Sequence, residues 1–268
     1  MMEPGAAAIA SVRVDSCRVC GGAARHVFTL PVLKRDVGYF ECQNCGYLQT
    51  EQPDWLPEAY ARPINDVDTG IMMRNRDNLR RVVMTLFALG RLRGRVIDHA
   101  AGFGILVRLL RDAGVDARWS DKYCENLLAR GFEADGGPYD LLTAFEVFEH
   151  FVDPLAELQA MLETAPTVML STELITQRET PPRDWWYLGP EHGQHIGFFR
   201  VSTLQWMATA LGCHLATDGR AVHLFSKAPV PVWWLPLLRL RRLWPVIARL
   251  MLKTKTPEDF ERQRSPRG

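Results

Sequence analysis

The chain has 268 residues, of which 47% are hydrophobic and 24% charged, and its formal net charge is +1. This composition is that of a globular protein, and the length allows one α/β domain together with a small accessory module. A charge this close to zero argues against nucleic acid as the partner, because no global field attracts a polyanion. The N-terminal segment has no basic stretch followed by an apolar one, so no secretory signal is predicted and a cytoplasmic location is expected.

Four of the six cysteines form two CxxC pairs, Cys17 with Cys20 and Cys42 with Cys45. A glycine follows each pair, which lets the backbone turn so that both sulfurs face one ion. Four thiolates close a tetrahedral shell around Zn²⁺, and a shell with no open position is structural. The pattern predicts a small zinc ribbon whose strands are the segments HVFTLPVL and VGYFEC. Two unrelated CxxC pairs, or a redox dithiol, are the alternatives.

After a proline-bearing connector, the sequence alternates between apolar strands and helices. Apolar residues at helical spacing predict a helix over 77–89, which Gly90 ends. The next segments are predicted as strands over 95–98, 117–121, 139–147 and 167–175, with helices over 102–113, 125–130 and 154–163. This alternation predicts a parallel sheet with helices on both faces. One further strand, near 132–134, has little room and is expected to be short.

The end of the alternation predicts a different connection. A helix capped by Ser202 stops at Gly212, and Asp218-Gly219 then separates two apolar segments. An Asp-Gly pair in this position is a strong hairpin signal. The predicted fold is therefore α/β, with a Rossmann-like, seven-stranded, mostly parallel sheet that ends in an antiparallel hairpin.

The turn after the first strand of this sheet carries an acid and two glycines. Asp98 ends the strand and Gly102 and Gly104 follow, at the point where open α/β sheets bind their ligands. The second strand ends about twenty residues later at Asp121, where an acid that binds a ribose is expected. Asp98 would repel a pyrophosphate but suits the cationic methionine end of S-adenosylmethionine, and Val107 replaces the last small residue of a dinucleotide fingerprint. The pattern therefore favours S-adenosylmethionine.

These motifs resemble those of class I S-adenosylmethionine-dependent methyltransferases. The first motif of that family reads acidic-x-Gly-x-Gly-x-Gly, and Ala100 stands here in place of its first glycine. The segment YDLLTAFEVFEH, residues 139–150, resembles the family's fourth-strand motif, which ends in Glu-His and is followed by Asp-Pro. The resemblance implies that the cofactor binds to Asp98, Ala100, Gly102, Gly104, Asp121 and Glu146.

The whole chain is similar to a subgroup with an N-terminal zinc module, which includes sugar C-methyltransferases. A motif close to His-Glu-His-x-x-x-Phe supplies acid–base chemistry in that subgroup. Here His195 and Phe199 keep the spacing, while Gln194 replaces the glutamate. The resemblance implies C- or O-methylation of a small acceptor such as a sugar or nucleotide sugar. His195 is the expected base, with His192 the second candidate and Glu191 orienting one of them; alternatively, these side chains only fix a loop.

Two other classes of function stay open on the sequence. Ala100 and the short third strand are compatible with a methyltransferase-like binding protein that has lost turnover. An NAD-dependent oxidoreductase is the other alternative, which Asp98 opposes. A polar run, Asn65, Asp68, Arg74 and Asn75, either lines the acceptor pocket or caps the first helix.

The C-terminal tail mixes tryptophans, leucines and arginines over residues 232–252. This composition is typical of a helix lying in a membrane interface, or of a helix packed on the protein body or on a second subunit. Pro236 and Pro245 interrupt any continuous face. Residues after Thr256 are expected to be disordered. The expected domains are 1–60 for the zinc module and connector, 61–228 for the methyltransferase domain and 229–268 for the basic amphipathic tail.

Overall fold

The computed structural model describes residues 14–61 and 69–264. The strands are β1 (Val14–Ser16), β2 (Ala23–Val32), β3 (Arg35–Cys42), β4 (Leu48–Thr50), β5 (Arg95–His99), β6 (Asp116–Ser120), β7 (Leu141–Phe145), β8 (Thr167–Ser171), β9 (Gly197–Phe198), β10 (His214–Thr217) and β11 (Val222–Ser226). The helices are α1 (Leu56–Ala59), α2 (Ile71–Ala88), α3 (Ile105–Ala113), α4 (Pro154–Thr164), α5 (Val201–Ala210), α6 (Trp234–Arg239), α7 (Trp244–Met251) and α8 (Thr256–Arg264). Short 3-10 turns lie at Phe148–His150 and Trp186–Leu188.

The first sheet is antiparallel and joins two distant parts of the chain. Its strand order is β1-β2-β3-β4-β9. β2 and β3 pair along almost their whole length, which confirms the two predicted ribbon strands. β9 comes from much later in the sequence, with Phe198 opposite Leu48 and Gly197 opposite Gln49. The cysteine-bearing module therefore shares a sheet with a segment of the α/β part.

The second sheet has, within the described residues, six strands in the order β10-β11-β8-β7-β5-β6. Strands β6, β5, β7 and β8 run parallel to one another, and the β10–β11 hairpin packs antiparallel against β8. One apolar core includes α4 and α5, and a second includes α2, α3 and the first two tail helices. The predicted α/β class with a reversed C-terminal hairpin is confirmed.

The predicted number of strands in this sheet needs a correction. The seventh strand, expected near 132–134, is a single parallel bridge between Trp119 and Glu133. Gly131 and Gly136 flank it, and both have positive φ, so the chain turns away on each side before a longer ladder can form.

The helix predicted over 125–130 is wrong. The N–H groups of Leu127 and Leu128 donate to the carbonyl of Phe103, and the Asn126 side chain accepts a bond from the backbone three residues later. These bonds take the place of a helical ladder, which six residues are too few to nucleate without support. The segment instead packs beside the turn between β5 and α3.

Three helices begin elsewhere than the sequence predicts; one of them, α5, begins at Val201 with Arg200 rather than Ser202 as its N-cap. α2 begins at Ile71, six residues before the expected start. α3 begins at Ile105 rather than at 102, because Gly102 and Gly104 have φ values of 53° and 85°, which a right-handed helix does not accommodate. The displaced start of α3 leaves a longer turn at the end of β5.

The expectation of disorder after Thr256 is wrong for the described part of that segment, because α8 is ordered there. Asp259 is only 4% exposed, and its carboxylate accepts bonds from Arg111 at 2.6 and 2.8 Å and from Arg108 at 2.8 Å. The partners lie about 150 residues earlier in the chain, so a local sequence pattern does not reveal them.

The first two tail helices pack one face on the body. Trp234 is 1% exposed, and its Nε1–H donates to the Thr85 hydroxyl of α2 at 2.9 Å. Pro236 and Pro245 fall in the first turns of α6 and α7, where a missing N–H breaks no helical bond. No helix in the described parts of the chain is long and apolar enough to cross a bilayer.

The predicted domain limits at 60 and 228 stay predictions. The first adjoins residues 62–68, which lie outside the described residues together with Asn65 and Asp68 of the polar run. Of the other two residues of that run, Asn75 donates from its side chain to the carbonyl of Ile71 at the start of α2. That contact lies within the first turn of α2 and does not cap the helix, because its N-cap Gly70 receives no side-chain hydrogen bond, so both interpretations of the run stay predictions.

Candidate active site

The four paired cysteines converge beside the first sheet. The Sγ atoms of Cys17 and Cys45 are 3.7 Å apart, and those of Cys20 and Cys42 are 3.4 Å apart. Sulfurs bound to Zn²⁺ at about 2.3 Å in a tetrahedron lie roughly 3.8 Å from one another, so a small outward movement admits the ion. Two backbone N–H groups donate to the Cys17 and Cys42 sulfurs at 3.4 Å, which favours thiolates. The donor set fits a structural zinc.

The turn from β5 to α3 forms a backbone-lined cradle at the carboxyl end of β5. Ala100, Gly102 and Gly104 all have positive φ. Gly104 precedes the first turn of α3, where N–H groups have no partner within the helix and favour a negative group of a ligand. A Cβ atom at Gly104 would lie 3.0 Å from that of Ala129, so the segment after β6 closes one side of the turn.

Asp98 is a buried acid at the start of this turn. It is 4% exposed, and its Oδ1 accepts a 2.6 Å bond from the Thr143 hydroxyl on the neighbouring strand β7. Burial raises the pKa of Asp98 to about 7, because the charged form loses its hydration; the Thr143 bond opposes this shift and the nearby Asp121 adds to it. A cationic ligand placed here would favour the ionised carboxylate.

Asp121 and Glu146 follow the carboxyl ends of the two strands that flank β5. Asp121 accepts backbone bonds from Gly102, Tyr123 and Cys124 at 2.7–2.8 Å, so it ties the cradle to the next loop. A carboxylate has about four lone-pair positions, which leaves capacity for ribose hydroxyls. Glu146 has φ 55°, a strained conformation for a residue with a side chain. The fold thus brings all six residues predicted for the cofactor to one edge of the sheet.

The histidine loop, residues 190–196, separates the three residues predicted for acid–base chemistry. Glu191 is exposed. His192 accepts a 3.1 Å bond at Nδ1 from the backbone of Gln194, so its neutral ring carries the proton on Nε2. His195 donates from Nδ1 to the carbonyl of Tyr187 at 2.6 Å, which leaves the Nε2 lone pair free of a proton. Burial lowers the pKa of His195 to about 4. The geometry favours His195 over His192 as the proton acceptor.

Glu149 and His150, in the 3-10 turn after β7, face the histidine loop. Oε1 of Glu149 lies 3.9 Å from Nε2 of His150 and 3.9 Å from Nε2 of His195. Burial and the charge of Glu146 raise the pKa of Glu149 to about 8. We call Glu149, His150 and His195 the Glu149 cluster. The sequence did not predict a role for Glu149 or His150, although an acid and a histidine at the carboxyl end of a strand are a signal for a site.

Tyr60 connects the cofactor side of the site with the Glu149 cluster. Its hydroxyl lies 2.8 Å from Nδ1 of His150. Its ring stacks on that of Tyr123, with centroids 4.9 Å apart and planes 15° from parallel. The backbone of Tyr123 in turn donates to Asp121. Two aromatic rings therefore span the distance between the cradle and the cluster.

The N-terminal module holds the histidine loop from outside. Arg18, between Cys17 and Cys20, donates to the carbonyl of Ile196 at 2.6 Å. The indole of Trp55 donates to the carbonyl of Gly193 at 2.8 Å. β9 directly follows the loop and pairs with β4. The position of His195 thus depends on the first sheet as well as the second.

The fold and the site together define a class of protein. The α/β sheet ends in a reversed hairpin, its first strand leads into the cradle with Asp98, and Asp121 directly follows its second strand. These are the features of S-adenosylmethionine-dependent methyltransferases. A family model described as a methyltransferase domain matches residues 72–217, more than half of the chain. The chain belongs to this methyltransferase family and is an S-adenosylmethionine-dependent enzyme. The oxidoreductase alternative is therefore wrong.

Solved structures of methyltransferases are also similar to this chain. Magnesium protoporphyrin IX methyltransferase from Synechocystis PCC 6803 with bound S-adenosylhomocysteine is 18% identical, with 64% of this chain and 91% of that chain covered and a TM-score of 0.42. Mitomycin 7-O-methyltransferase is 14% identical, with 57% and 54% covered and a TM-score of 0.43. A methyltransferase of calicheamicin biosynthesis is 12% identical, with 57% and 55% covered and a TM-score of 0.39. No curated protein matches the sequence.

Proposed function

We propose that this enzyme methylates a hydroxyl group or an enolisable carbon of a small carbohydrate-like acceptor, with His195 as the proton acceptor. The observation that carries the proposal is the His195 ring: Nδ1 donates to the carbonyl of Tyr187, which leaves a lone pair on Nε2, and Nε2 lies 3.9 Å from Oε1 of Glu149 in the turn after β7. His192 is the second candidate; burial lowers its pKa, and the nearby charge of Glu191 offsets part of that shift.

The cofactor half of the proposal assigns roles to the cradle. Asp98 balances the positive charge of the methionine end, and Asp121 binds the ribose hydroxyls. Ala100, Gly102 and Gly104 let the backbone approach the ligand closely. Glu146 borders the same edge, held by a hydrogen bond from the Ser171 hydroxyl. S-adenosylmethionine supplies the activated methyl group when it is bound.

The protein's part in the chemistry is to align the acceptor and to take its proton. Methyl transfer is an in-line displacement, so positioning and exclusion of water contribute most of what the chain supplies. A neutral imidazole near the acceptor adds general-base catalysis, typically about 10²–10⁴-fold. Exposed aromatic rings, Trp186 and Tyr123, flank the cluster and offer apolar faces to a sugar ring.

Two measurements on paired variants test this proposal. Calorimetry should show S-adenosylhomocysteine binding to the wild type and to His195→Gln alike, and much weaker binding to Asp121→Ala. In an assay with nucleotide sugars as acceptors, His195→Gln should lose at least about 100-fold in turnover. His214→Gln, at an exposed position of β10, is the control and should keep full turnover. Unchanged turnover in both His195→Gln and His192→Gln would exclude general-base catalysis by this loop.

The same cysteine geometry leads us to propose one structural Zn²⁺ per chain. It is held by Cys17, Cys20, Cys42 and Cys45, whose sulfurs lie within 4.8 Å of one another. Elemental analysis of the purified protein should find one equivalent, and Cys42→Ser should lower it. Zinc far below one equivalent in the wild type contradicts the assignment.

A peripheral membrane contact of the tail is a second part of the proposal. Val232 and Leu250 are 94% and 78% exposed, and Arg241 and Arg242, which lie between them in the sequence, are exposed too. Apolar side chains next to arginines favour the interface of an anionic bilayer. In flotation, vesicles with anionic lipid should carry the wild type but not the variant R241E/R242E. The control R178E/R183E changes as many exposed arginines in a loop elsewhere and should float as the wild type does.

A further inference from the structure

The carboxyl group of Glu149 is a fully buried acid within the active site. The side chain is 0% exposed, and neither oxygen has a hydrogen-bond partner among the described residues. The nearby hydroxyls of Thr172 and Tyr187 bond to each other at 3.2 Å instead. Burial removes the hydration of the ionised carboxylate, and the nearby Tyr187 and Thr172 hydroxyls offset only part of that loss, so the pKa of Glu149 stays raised. A cation bound beside Glu149 would favour its ionised form.

We propose that Glu149, His150 and His195 bind a divalent transition-metal cation on the acceptor side of the site. One carboxylate oxygen and the two Nε2 atoms lie within 4.8 Å of one another. A cation about 2.0–2.2 Å from each ligand needs its ligand atoms roughly 3.0–3.5 Å apart. The two 3.9 Å distances from Glu149 Oε1 therefore shorten by about half an ångström on binding, which small side-chain rotations achieve.

The far nitrogens of both rings have the partners that metal-binding histidines use. Nδ1 of His195 donates to the carbonyl of Tyr187, and Nδ1 of His150 lies 2.8 Å from the hydroxyl of Tyr60. The Tyr187 carbonyl fixes the His195 tautomer in which Nε2 carries a lone pair, the Tyr60 hydroxyl can accept from Nδ1 of His150 and so permits the same tautomer there, and both contacts hold the ring planes. Both Nε2 atoms face the same oxygen of Glu149. The three donors are therefore oriented before the ion arrives.

The proposed site differs in kind from the cysteine cluster. Two histidines and one carboxylate suit first-row transition metals and leave coordination positions open, as in catalytic sites. The side chains of His150 and His195 keep 14% and 15% exposure, so the open positions are accessible from solvent. A sugar with two adjacent oxygens is a ligand of the right chemistry for them. Four sulfurs, in contrast, leave the cysteine site closed.

This assignment rests on the proposed function for the nature of the acceptor, and it changes the role of His195 in the metal-bound enzyme. One Nε2 lone pair cannot bind a cation and accept a proton together. Coordination lowers the pKa of the acceptor hydroxyl, so its proton passes to water. The oxygen then forms the bond to the methyl carbon as the carbon–sulfur bond breaks and S-adenosylhomocysteine is released. His195 takes the proton itself only when the cation is absent.

The test counts metal in the full-length chain. Wild type, Glu149→Gln and Glu163→Gln are dialysed separately against Mn²⁺ and Zn²⁺, and bound metal is measured by elemental mass spectrometry. Mn²⁺ prefers oxygen and nitrogen ligands, so the thiolates do not compete for it. The wild type and the exposed control Glu163→Gln should each bind one equivalent of metal at this site. Glu149→Gln should bind that equivalent at least tenfold more weakly. The proposal is overturned if neither metal shows an equivalent that depends on Glu149.

Binding of S-adenosylhomocysteine to the same three proteins separates the two proposals. Normal binding to Glu149→Gln shows that the variant is folded, so its loss of metal has a local cause. Cofactor binding by the wild type without a Glu149-dependent metal overturns the cation site and leaves methyl transfer standing. A Glu149-dependent metal without cofactor binding overturns the proposed function and leaves the cation site standing.

Discussion

Ala100 has φ 55° in the cofactor cradle. Glycine adopts this left-handed conformation without strain, whereas alanine does not. The strain costs about 1 kcal/mol, part of which alanine recovers because it is less flexible than glycine in the unfolded state. Ala100→Gly should therefore raise the free energy of unfolding by about 0.5 kcal/mol in urea titrations. The control Ala160→Gly, on the exposed face of α4, should lower it by about 1 kcal/mol. Equal losses in both variants would show that Ala100 is not strained.

Asp98 predicts how cofactor affinity depends on pH. Its pKa is raised to about 7, so the carboxyl is neutral below that pH and negative above it. A cationic ligand binds the negative form better, so affinity for S-adenosylmethionine should rise from pH 6 to pH 8, by up to tenfold per unit below the pKa. Calorimetry across this range should show the rise in the wild type and in the exposed control Asp184→Asn. Asp98→Asn should bind weakly and show only the pH dependence that belongs to the ligand.

Some residues of the candidate site are predictable from the sequence and others are not. Asp98 and Asp121 are predictable because each follows directly from a strand end, and the ends of parallel strands share an edge. Glu149 is different, because its role in the site depends on its distance from His195. Those two residues are 46 positions apart and meet through tertiary contacts: the N–H of Ile196 donates to the carbonyl of Glu149, and β9, which follows the loop, pairs with the first sheet. No local pattern encodes that meeting.

The bounds of elements with a clear hydrophobic periodicity were predictable to within a few residues. β5, α4 and the β10–β11 hairpin appear where the sequence places them. The exceptions are segments held by hydrogen bonds or ion pairs to distant parts of the chain. Residues 125–130 donate to the turn at Phe103 instead of forming a helix, and α8 is ordered because Arg111 meets Asp259. Tertiary partners decide both cases.

The pairing of α8 with α3 yields a prediction for this element. Asp259→Asn should weaken two charge-assisted bonds from Arg111, which keeps Asp116 as a partner, so we expect a loss of about 2 kcal/mol in the free energy of unfolding. Hydrogen exchange of residues 256–264 should become faster. The control Glu258→Gln alters a 75% exposed side chain on the same helix and should change stability by less than about 0.5 kcal/mol. Unchanged exchange in Asp259→Asn would mean that α8 is held by other contacts.

At the scale of the whole molecule, the two sheets position different parts of the site. The second sheet supplies the cofactor edge with Asp98 and Asp121, whereas the first sheet holds the histidine loop through Arg18, Trp55 and β9. Damage to the cysteine module should therefore impair the acceptor side and spare the cofactor side.

Cys42→Ser tests this division. The variant should lose zinc, show faster hydrogen exchange at residues 190–198 and lose most of its turnover, because His195 is no longer fixed. Its affinity for S-adenosylhomocysteine should stay within about twofold of wild type. Cys213→Ser, which removes a free thiol outside the cluster, is the matched control and should behave as the wild type. Equal loss of cofactor binding in Cys42→Ser would show that the two sheets do not act separately.

The pairing of β4 with β9 also has a consequence for the order in which the chain assembles. Leu48 meets Phe198 across about 150 residues, a separation that makes the contact slow to form. During synthesis at about 5–20 residues per second, the first four strands are made roughly 7 to 30 seconds before β9, the last strand of their sheet. For that interval β4 is an open edge that other strands can join. A nascent chain thus completes its cysteine knuckles well before it has the active site that they help to hold.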